Sequence, residues 1–242
     1  MFLAIDTDIL LYKAATSAET EIDWGDDVWS LYTDLSDAKS AFEMQLDKIT
    51  QKLGVHDFVC CLSDHGNNFR KEIDPTYKSN RKGQRKPVGY VALASWVEET
   101  FESFRKPTLE ADDCLGVLAT MPINQDRCIM VSDDKDLKTV PGKLYRPMAE
   151  ETLVISEADA DRFFYTQVLT GDTADGYKGI PGIGPKKAEA ILGARPHWGA
   201  VEQAYIKAGL TKGHAIHQAR LARILRWSDW NDIKGEHIPW TP

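Results

Sequence analysis

FLAID (Phe2–Asp6) is apolar until its last position and ends on a carboxylate. So short an apolar run, closed by a polar residue, reads as a buried strand. The pattern recurs in DFVCCLSD (Asp57–Asp64) and RCIMVSDD (Arg127–Asp134). Between the first two, Ser36 could cap a helix in which Ala38, Phe42, Leu46, Ile49 and Leu53 recur at helical spacing, with Gly54 as its stop. Val88–Arg105 and Glu110–Met121 read as further helices. Strands alternating with helices of this length predict an α/β fold, a central parallel sheet flanked by helices. After about Ser156 the strand pattern stops. Ala158–Leu169, Pro185–Leu192, Trp198–Ala208 and His214–Trp227 read as helices, so the expected division is an α/β unit over 1–155 and a helical unit over 156–242, packed together.

The 242 residues are 43% hydrophobic and 27% charged, ordinary values for a globular chain. VGYVALASWV from Val88 is about half the roughly 20 residues a membrane span needs, so no membrane partner is expected. MFLAIDTD has no basic region before its apolar residues, so no secretory signal is read there. Cys60, Cys61, Cys114 and Cys128 lack Cys-x-x-Cys spacing and sit mostly in apolar runs, which predicts buried reduced thiols and a cytoplasmic setting.

The net charge of −8 by itself argues against a nucleic-acid partner. Its distribution argues differently. Glu19–Asp47 holds nine acidic side chains against Lys39 alone, whereas Arg70, Lys71, Lys78, Arg81, Lys82, Arg85 and Lys86 place seven cations in seventeen residues. A solvated charged face would also account for such a cluster.

The acids gather where an open parallel sheet places its ligands, beyond the carboxyl ends of strands. Asp6, Asp64 and the pair Asp134 and Asp136 follow three strands; LEADD adds Glu110, Asp112 and Asp113, and GDTADG adds Asp172 and Asp175. Helix capping would explain each pair taken singly. Together, so many carboxylates at one rim would repel each other without cations. Hard divalent ions with oxygen ligands, Mg²⁺ or Mn²⁺, are the expected occupants, and zinc is disfavoured. Two such ions roughly 4 Å apart are the apparatus for in-line displacement at phosphorus.

GDTADGYKGIPGIGPKKAEAILG (Gly171–Gly193) fits neither familiar nucleotide loop. Pro185 stands where a P-loop needs its lysine, and GIG lacks the third glycine of a dinucleotide fingerprint.

As a set, DTD at Asp6, SDHGNNFRKEIDPTYKSNR, LEADD, SDDKDL and TGDTADGYKGIPGIGPKKA resemble, in order and spacing, the flap endonuclease and 5′-nuclease superfamily, most closely the short 5′→3′ exonucleases of tailed bacteriophages. The resemblance spans nearly the whole chain, and five motifs in order are specific where DTD alone is not. It implies a PIN-like nuclease domain over 1–155 and a helical DNA-binding subdomain over 156–242, with a helix-hairpin-helix element at about 171–193. Asp6, Asp64, Glu110 and Asp112 match the first metal site, Asp113 an extra acid, and Asp134, Asp136 and Asp172 the second site, with Asp175 beside it. Lys78 matches a lysine on the scissile phosphate, Arg81 an arginine stabilising the transition state, and Tyr77 an aromatic that stacks on a base; core packing would equally account for Tyr77. Arg70 and Lys82 join them as expected DNA contacts.

In the hairpin element, Gly179, Gly182 and Gly184 would let the backbone approach a duplex phosphate, with Lys186 and Lys187 adding charge and a loop-held K⁺ as a further expectation. A helix start after a Gly-Pro turn explains the glycines but not the phosphate-sized geometry with paired lysines. Lys212, Arg220, Arg223 and Arg226 extend this surface or form a solvated face.

The implied function is two-metal 5′→3′ hydrolysis of duplex DNA with a 5′ end, nick or flap, extending to RNA in RNA–DNA hybrids, by a monomer. Alternatives are a flap endonuclease, a PIN-type ribonuclease and a non-catalytic structure-specific DNA-binding protein. Two departures stand out. Gly176 replaces an asparagine common after the last motif aspartate, and the short span from Arg81 to Val88 leaves little for an arch that threads a single strand.

Overall fold

A computed structural model describes residues 1–81 and 83–242. The three acid-ended runs form β1 (Phe2–Asp6), β4 (Phe58–Cys61) and β6 (Cys128–Val131), and β1 lies between the other two, parallel to both. The complete sheet has the order β5-β4-β1-β6-β7-β8; β5 (Ser103–Phe104) is parallel to β4, β7 (Gly142–Arg146) is parallel to β6, and β8 (Glu151–Ile155) closes one edge antiparallel to β7. The chain leaves β1 toward β4 on one side and reaches β6 on the other, so Asp6 stands at the point where the strand order reverses. In open sheets that point opens a crevice for ligands.

Side chains alternate across β1. Leu3 and Ile5 enter a core with α1 (Thr7–Ser17), α2 (Leu35–Leu53) and α4 (Tyr90–Thr100), whereas Ala4 faces the opposite core under α5 (Ala111–Thr120). The expected parallel sheet with helices on both faces is present. A third cluster joins α6 (Glu157–Thr170), α7 (Pro185–Leu192), α8 (Trp198–Lys207) and α9 (Lys212–Ala222) to Tyr77 and Tyr177. The segment after α9 folds back, putting Ile224, Leu225 and Trp230 into the α5 core. The approach is so close that a Cβ on Gly116 of α5 would sit 2.2 Å from the Leu225 carbonyl.

Several boundaries differ from expectation. Asp34, not Ser36, caps α2, accepting from the Ser36 amide at 2.8 Å, while Gly54 ends it at φ 62° as expected. The apolar pattern from Val88 to Arg105 is a helix that stops at Thr100, because Phe101 turns into a cluster with Phe42, Phe58 and Trp96 and pulls the chain out to form β5. His214–Trp227 is helical only to Ala222; Arg223 and Arg226 then run inward to Asp229 and Asp161. They are buried, neither a DNA contact nor a solvated face. The hairpin β2 (Glu19–Asp23) and β3 (Trp29–Thr33), and the β7–β8 hairpin, lay outside the sequence reading; the acidic composition of the first conceals its alternation.

Candidate metal-dependent active site

Asp6 is 6% exposed at the end of β1, and Ser132, itself buried just beyond β6, donates its hydroxyl to Asp6 Oδ2 at 2.7 Å. The same Ser132 Oγ accepts the Asp134 amide at 3.0 Å, so one hydroxyl locks two rim residues together. Burial, together with the charges of Asp8 and Asp134, pushes Asp6 up to about 7. Asp112, in the first turn of α5, is driven well above the usual carboxylate range by burial and then by Asp6 and Asp134. These acids therefore converge as expected. Asp8 joins them, a residue visible in DTD but unclaimed by the sequence reading.

Glu110 has other company. Lys78 Nζ lies 2.6 Å from Oε1 and Arg70 Nη1 3.0 Å from Oε2, and although burial would raise it, these cations hold Glu110 down at about 2. Lys78 sits at φ 52°, a strained value for a lysine, with its amide bonded to the Asp175 carbonyl at 2.8 Å. That bond ties the basic segment to the Asp172–Asp175 turn. Arg81, half exposed, reaches Asp175 Oδ1 at 2.9 Å. Lys78, Glu110, Asp112 and Asp175 line one cleft of only about 20 Å³. Larger cavities, about 500 Å³ beside Trp227 and about 600 Å³ between α7 and α8, hold none of these carboxylates.

The second group forms around Lys135, which the sequence reading passed over within SDDKDL. Its Nζ lies 3.1 Å from Asp136 Oδ1 and also contacts Asp172 Oδ2. Gln167 of α6, a second residue missed, donates to Asp136 Oδ1 at 2.6 Å. Burial and the neighbouring Asp134 raise Asp136 to about 6, whereas Lys135 and the Ala174 amide hold Asp172 low against its burial.

Four expectations need correction. Asp113 is fully buried and accepts both Arg70 terminal nitrogens at 2.7 Å, plus the amides of Leu225 and Glu110 at 3.1 and 3.2 Å. With those donors on its oxygens it is a structural counter-ion rather than a metal ligand, and with Glu110 it completes the capping box of α5. Arg70 is 3% exposed and bonded to the carbonyls of Leu221 and Arg223, so it is closed to DNA. Tyr77, also 3% exposed, presents no ring face for stacking; its hydroxyl lies 3.0 Å from both Glu110 Oε2 and Asp175 Oδ2. Gly179 serves the chain rather than a phosphate, since a Cβ there would meet the Gly171 amide at 2.3 Å.

Asp64 lies in the loop after β4, with Oδ1 accepting the Gly66 amide at 2.9 Å and Oδ2 the Thr108 amide at 2.8 Å. Those amides lower its pKa. Gly182, at φ 76°, and Gly184 are exposed with open space around them, and Lys186 and Lys187 stand exposed at the start of α7. Lys187 Nζ donates to the Gly182 carbonyl at 2.9 Å. Lys82 lies outside the described residues.

Among the described residues, no three acid, histidine or cysteine side chains are yet drawn in to ligand distance of one point, and cations of the chain pair with Glu110, Asp136 and Asp172. The donor set nevertheless fits hard divalent ions. It is all oxygen, and positive charge added beside Asp6 and Asp112 would offset the burial and mutual repulsion that raise both.

A family model described as 5′-3′ exonuclease, N-terminal resolvase-like domain, matches residues 2–163. The exodeoxyribonuclease of Enterobacteria phage T3 is 30% identical over 279 residues, covering 99% of this chain and 92% of that protein. The exonuclease of Escherichia phage T7 is likewise 30% identical, covering 99% and 93%. Among solved structures, the bacteriophage T5 flap endonuclease in a pseudo-enzyme-product complex with DNA and metal ions aligns with a TM-score of 0.65 at 14% identity, over 91% of this chain and 88% of that one. The catalytic core of Rad2 in complex with DNA substrate aligns at 0.52 and 13% identity, over 86% and 64%. The fold is therefore the PIN-like fold of the 5′ nucleases, and the chain belongs to the 5′-3′ exonuclease family.

Proposed function

We propose that the protein is a divalent-metal-dependent 5′→3′ exonuclease acting on duplex DNA. The convergence of Asp6, Asp112 and Asp134 beside the Lys78 and Arg81 cations carries this reading. Asp6, Asp112 and Asp134 would hold one ion, Asp134 grouping with this set rather than the second, with Asp64 proposed beside them and Glu110 joining only if Lys78 and Arg70 release it. Asp136, Asp172 and Asp175 lie toward a second ion, and Mg²⁺ or Mn²⁺ suits such oxygen ligands. Such ions acidify the attacking water and offset charge on the phosphate oxygens. The chain's own cations supply the rest. Lys78 is held within reach of the cleft by Glu110, and Arg81, being half exposed, can leave Asp175 for a phosphate oxygen; cations so placed stabilise developing charge in a partly dry site.

The preference for ends over threaded flaps has a structural support. Among the described residues Gly83–Gly89 contains no helix, and Arg85 is tied to Glu19 at 2.6 Å, which leaves no arch of length there. The division into a nuclease unit over 1–155 and a duplex-gripping unit over 156–242 belongs to the same proposal, as do action on RNA–DNA hybrids and a monomeric state. A loop-held K⁺ belongs to the proposal as well, and it would share the Gly182 carbonyl region with Lys187, whose Nζ donates to that carbonyl at 2.9 Å.

Duplex DNA labelled at either end tests the activity. Mg²⁺ or Mn²⁺ should release labelled nucleotide from the 5′ end, and EDTA should stop it; metal-independent product, or loss from the 3′ end first, overturns the reading. Replacing both Lys186 and Lys187 by Ala tests the grip. Duplex affinity should fall about tenfold and the slope of log K against log salt should lose about 1–2, while the single-turnover rate on saturating DNA stays near wild type. An unchanged salt slope would remove this loop from the interface.

A further inference from the structure

We infer that Lys135 is a tethered counter-ion that occupies the Asp136–Asp172 carboxylate pair until a divalent cation displaces it, so that the second ion is bound weakly in the absence of DNA. The inference rests on the metal-site reading above.

The two carboxylates come from different elements, Asp136 from the turn after β6 and Asp172 from the short strand Gly171–Asp172 that follows α6, and Lys135 Nζ lies between them, 3.1 Å from Asp136 Oδ1 and in contact with Asp172 Oδ2. Their other partners complete the set. The Gln167 amide donates to Asp136 Oδ1 at 2.6 Å, and the Ala174 amide to Asp172 Oδ1 at 2.7 Å. In this arrangement one of the pair's two negative charges is offset, and both carboxylates are hydrogen-bonded, by the chain itself. An incoming cation must first remove Lys135, and ammonium and dication cannot share the gap, because like charges a few ångströms apart repel strongly even at a protein surface.

Lys135 is suited to leave. Its side chain is 58% exposed on the outer side of the pair, whereas Lys78, which plays the corresponding part against Glu110, is only 16% exposed. Once displaced, the ammonium stays tethered beside the rim, where a phosphate of bound DNA would give it a new counter-ion. Affinity for the second ion thereby becomes coupled to the presence of the substrate.

Calorimetric titration of Mn²⁺ into the metal-free full-length protein, without DNA, tests this in wild type, Lys135→Gln and Lys135→Arg. Lys135→Gln should tighten the weaker of two sites by about tenfold or more, and Lys135→Arg, which keeps the charge, should titrate like wild type. The metal-free Lys135→Gln protein should also melt lower than wild type and regain the difference when Mn²⁺ is added, since its two carboxylates then face each other without a cation. Two ions bound with the same affinities in wild type and Lys135→Gln would overturn the inference and leave the active-site reading intact. If none of the three proteins takes up Mn²⁺, the metal reading of the rim fails together with it.

Discussion

Asp6→Asn should lower the single-turnover rate of 5′ nucleotide release by at least about 10²–10³-fold and leave duplex affinity within about threefold of wild type. The substitution keeps the shape and lets Ser132 donate as before, so the rim stays assembled. What is lost is the negative charge that would hold an ion against the phosphate. The same variant should be more stable than wild type when metal-free at pH 8. Burial, with Asp8 and Asp134, pushes Asp6 from an ordinary 3.8 to about 7, so folding disfavours the ionised form. The sign follows. Below about 4 the group is protonated in both states and costs nothing; the penalty grows as pH rises toward 7 and is complete above it. Asn never pays it, so its Tm advantage should be several degrees at pH 8 and vanish near pH 4. Saturating Mn²⁺ should reverse the order, because wild type then gains the binding energy that the variant forgoes. Retained cleavage, or a lower Tm at pH 8 without metal, would remove Asp6 from the metal site.

Arg70→Met should destabilise the protein by about 3–5 kcal/mol in urea titrations, the scale for stranding one member of a buried pair. Asp113 is fully buried and receives both terminal nitrogens of Arg70 at 2.7 Å, while the guanidinium also satisfies the carbonyls of Leu221 and Arg223. This one side chain joins α3 (Phe69–Ile73), the start of α5 and the segment after α9. Removing it leaves a carboxylate without its cation and two carbonyls without a donor. Asp113→Leu combined with Arg70→Met should recover more than half of the loss, with a coupling energy of at least about 2 kcal/mol in the double-mutant cycle. Full recovery is not expected, because the Leu225 and Glu110 amides lose Asp113 as acceptor. Additive losses would mean that the pair contributes nothing as a pair. A DNA-contact role for Arg70 makes a different forecast, weaker and less salt-sensitive duplex binding by a variant of normal stability.

Arg70 also shows where reading the chain reached its limit. In FRKEIDPTYKSNRKGQRKP it is one of seven neighbouring cations, and nothing local separates it from Lys78 or Arg81. Its fate depends on Asp113, forty-three residues away, and on the carbonyls of Leu221 and Arg223 at the end of α9. Tyr77 is the same case, since an aromatic beside basic residues suits stacking and burial equally until Glu110 and Asp175 appear at its hydroxyl. Gly171 and Gly179 look like parts of a phosphate loop in sequence. In space their backbones cross at a distance that admits no Cβ. Lys135 was hidden for the opposite reason. It stands between two motif aspartates, so its charge reads as incidental until Asp172 arrives from another element.

The sequence by itself determined the three acid-ended strands, the helices between them, the parallel sheet and the gathering of carboxylates toward its rim. Each of these follows from short-range periodicity or from the fact that parallel strands deliver their ends to one edge. Only the tertiary structure decided which charges face a substrate and which neutralise each other inside. That choice depends on burial and on partners distant in the chain: moving a charge out of water costs several kcal/mol unless an opposite charge meets it, and the meeting is made only when the elements pack.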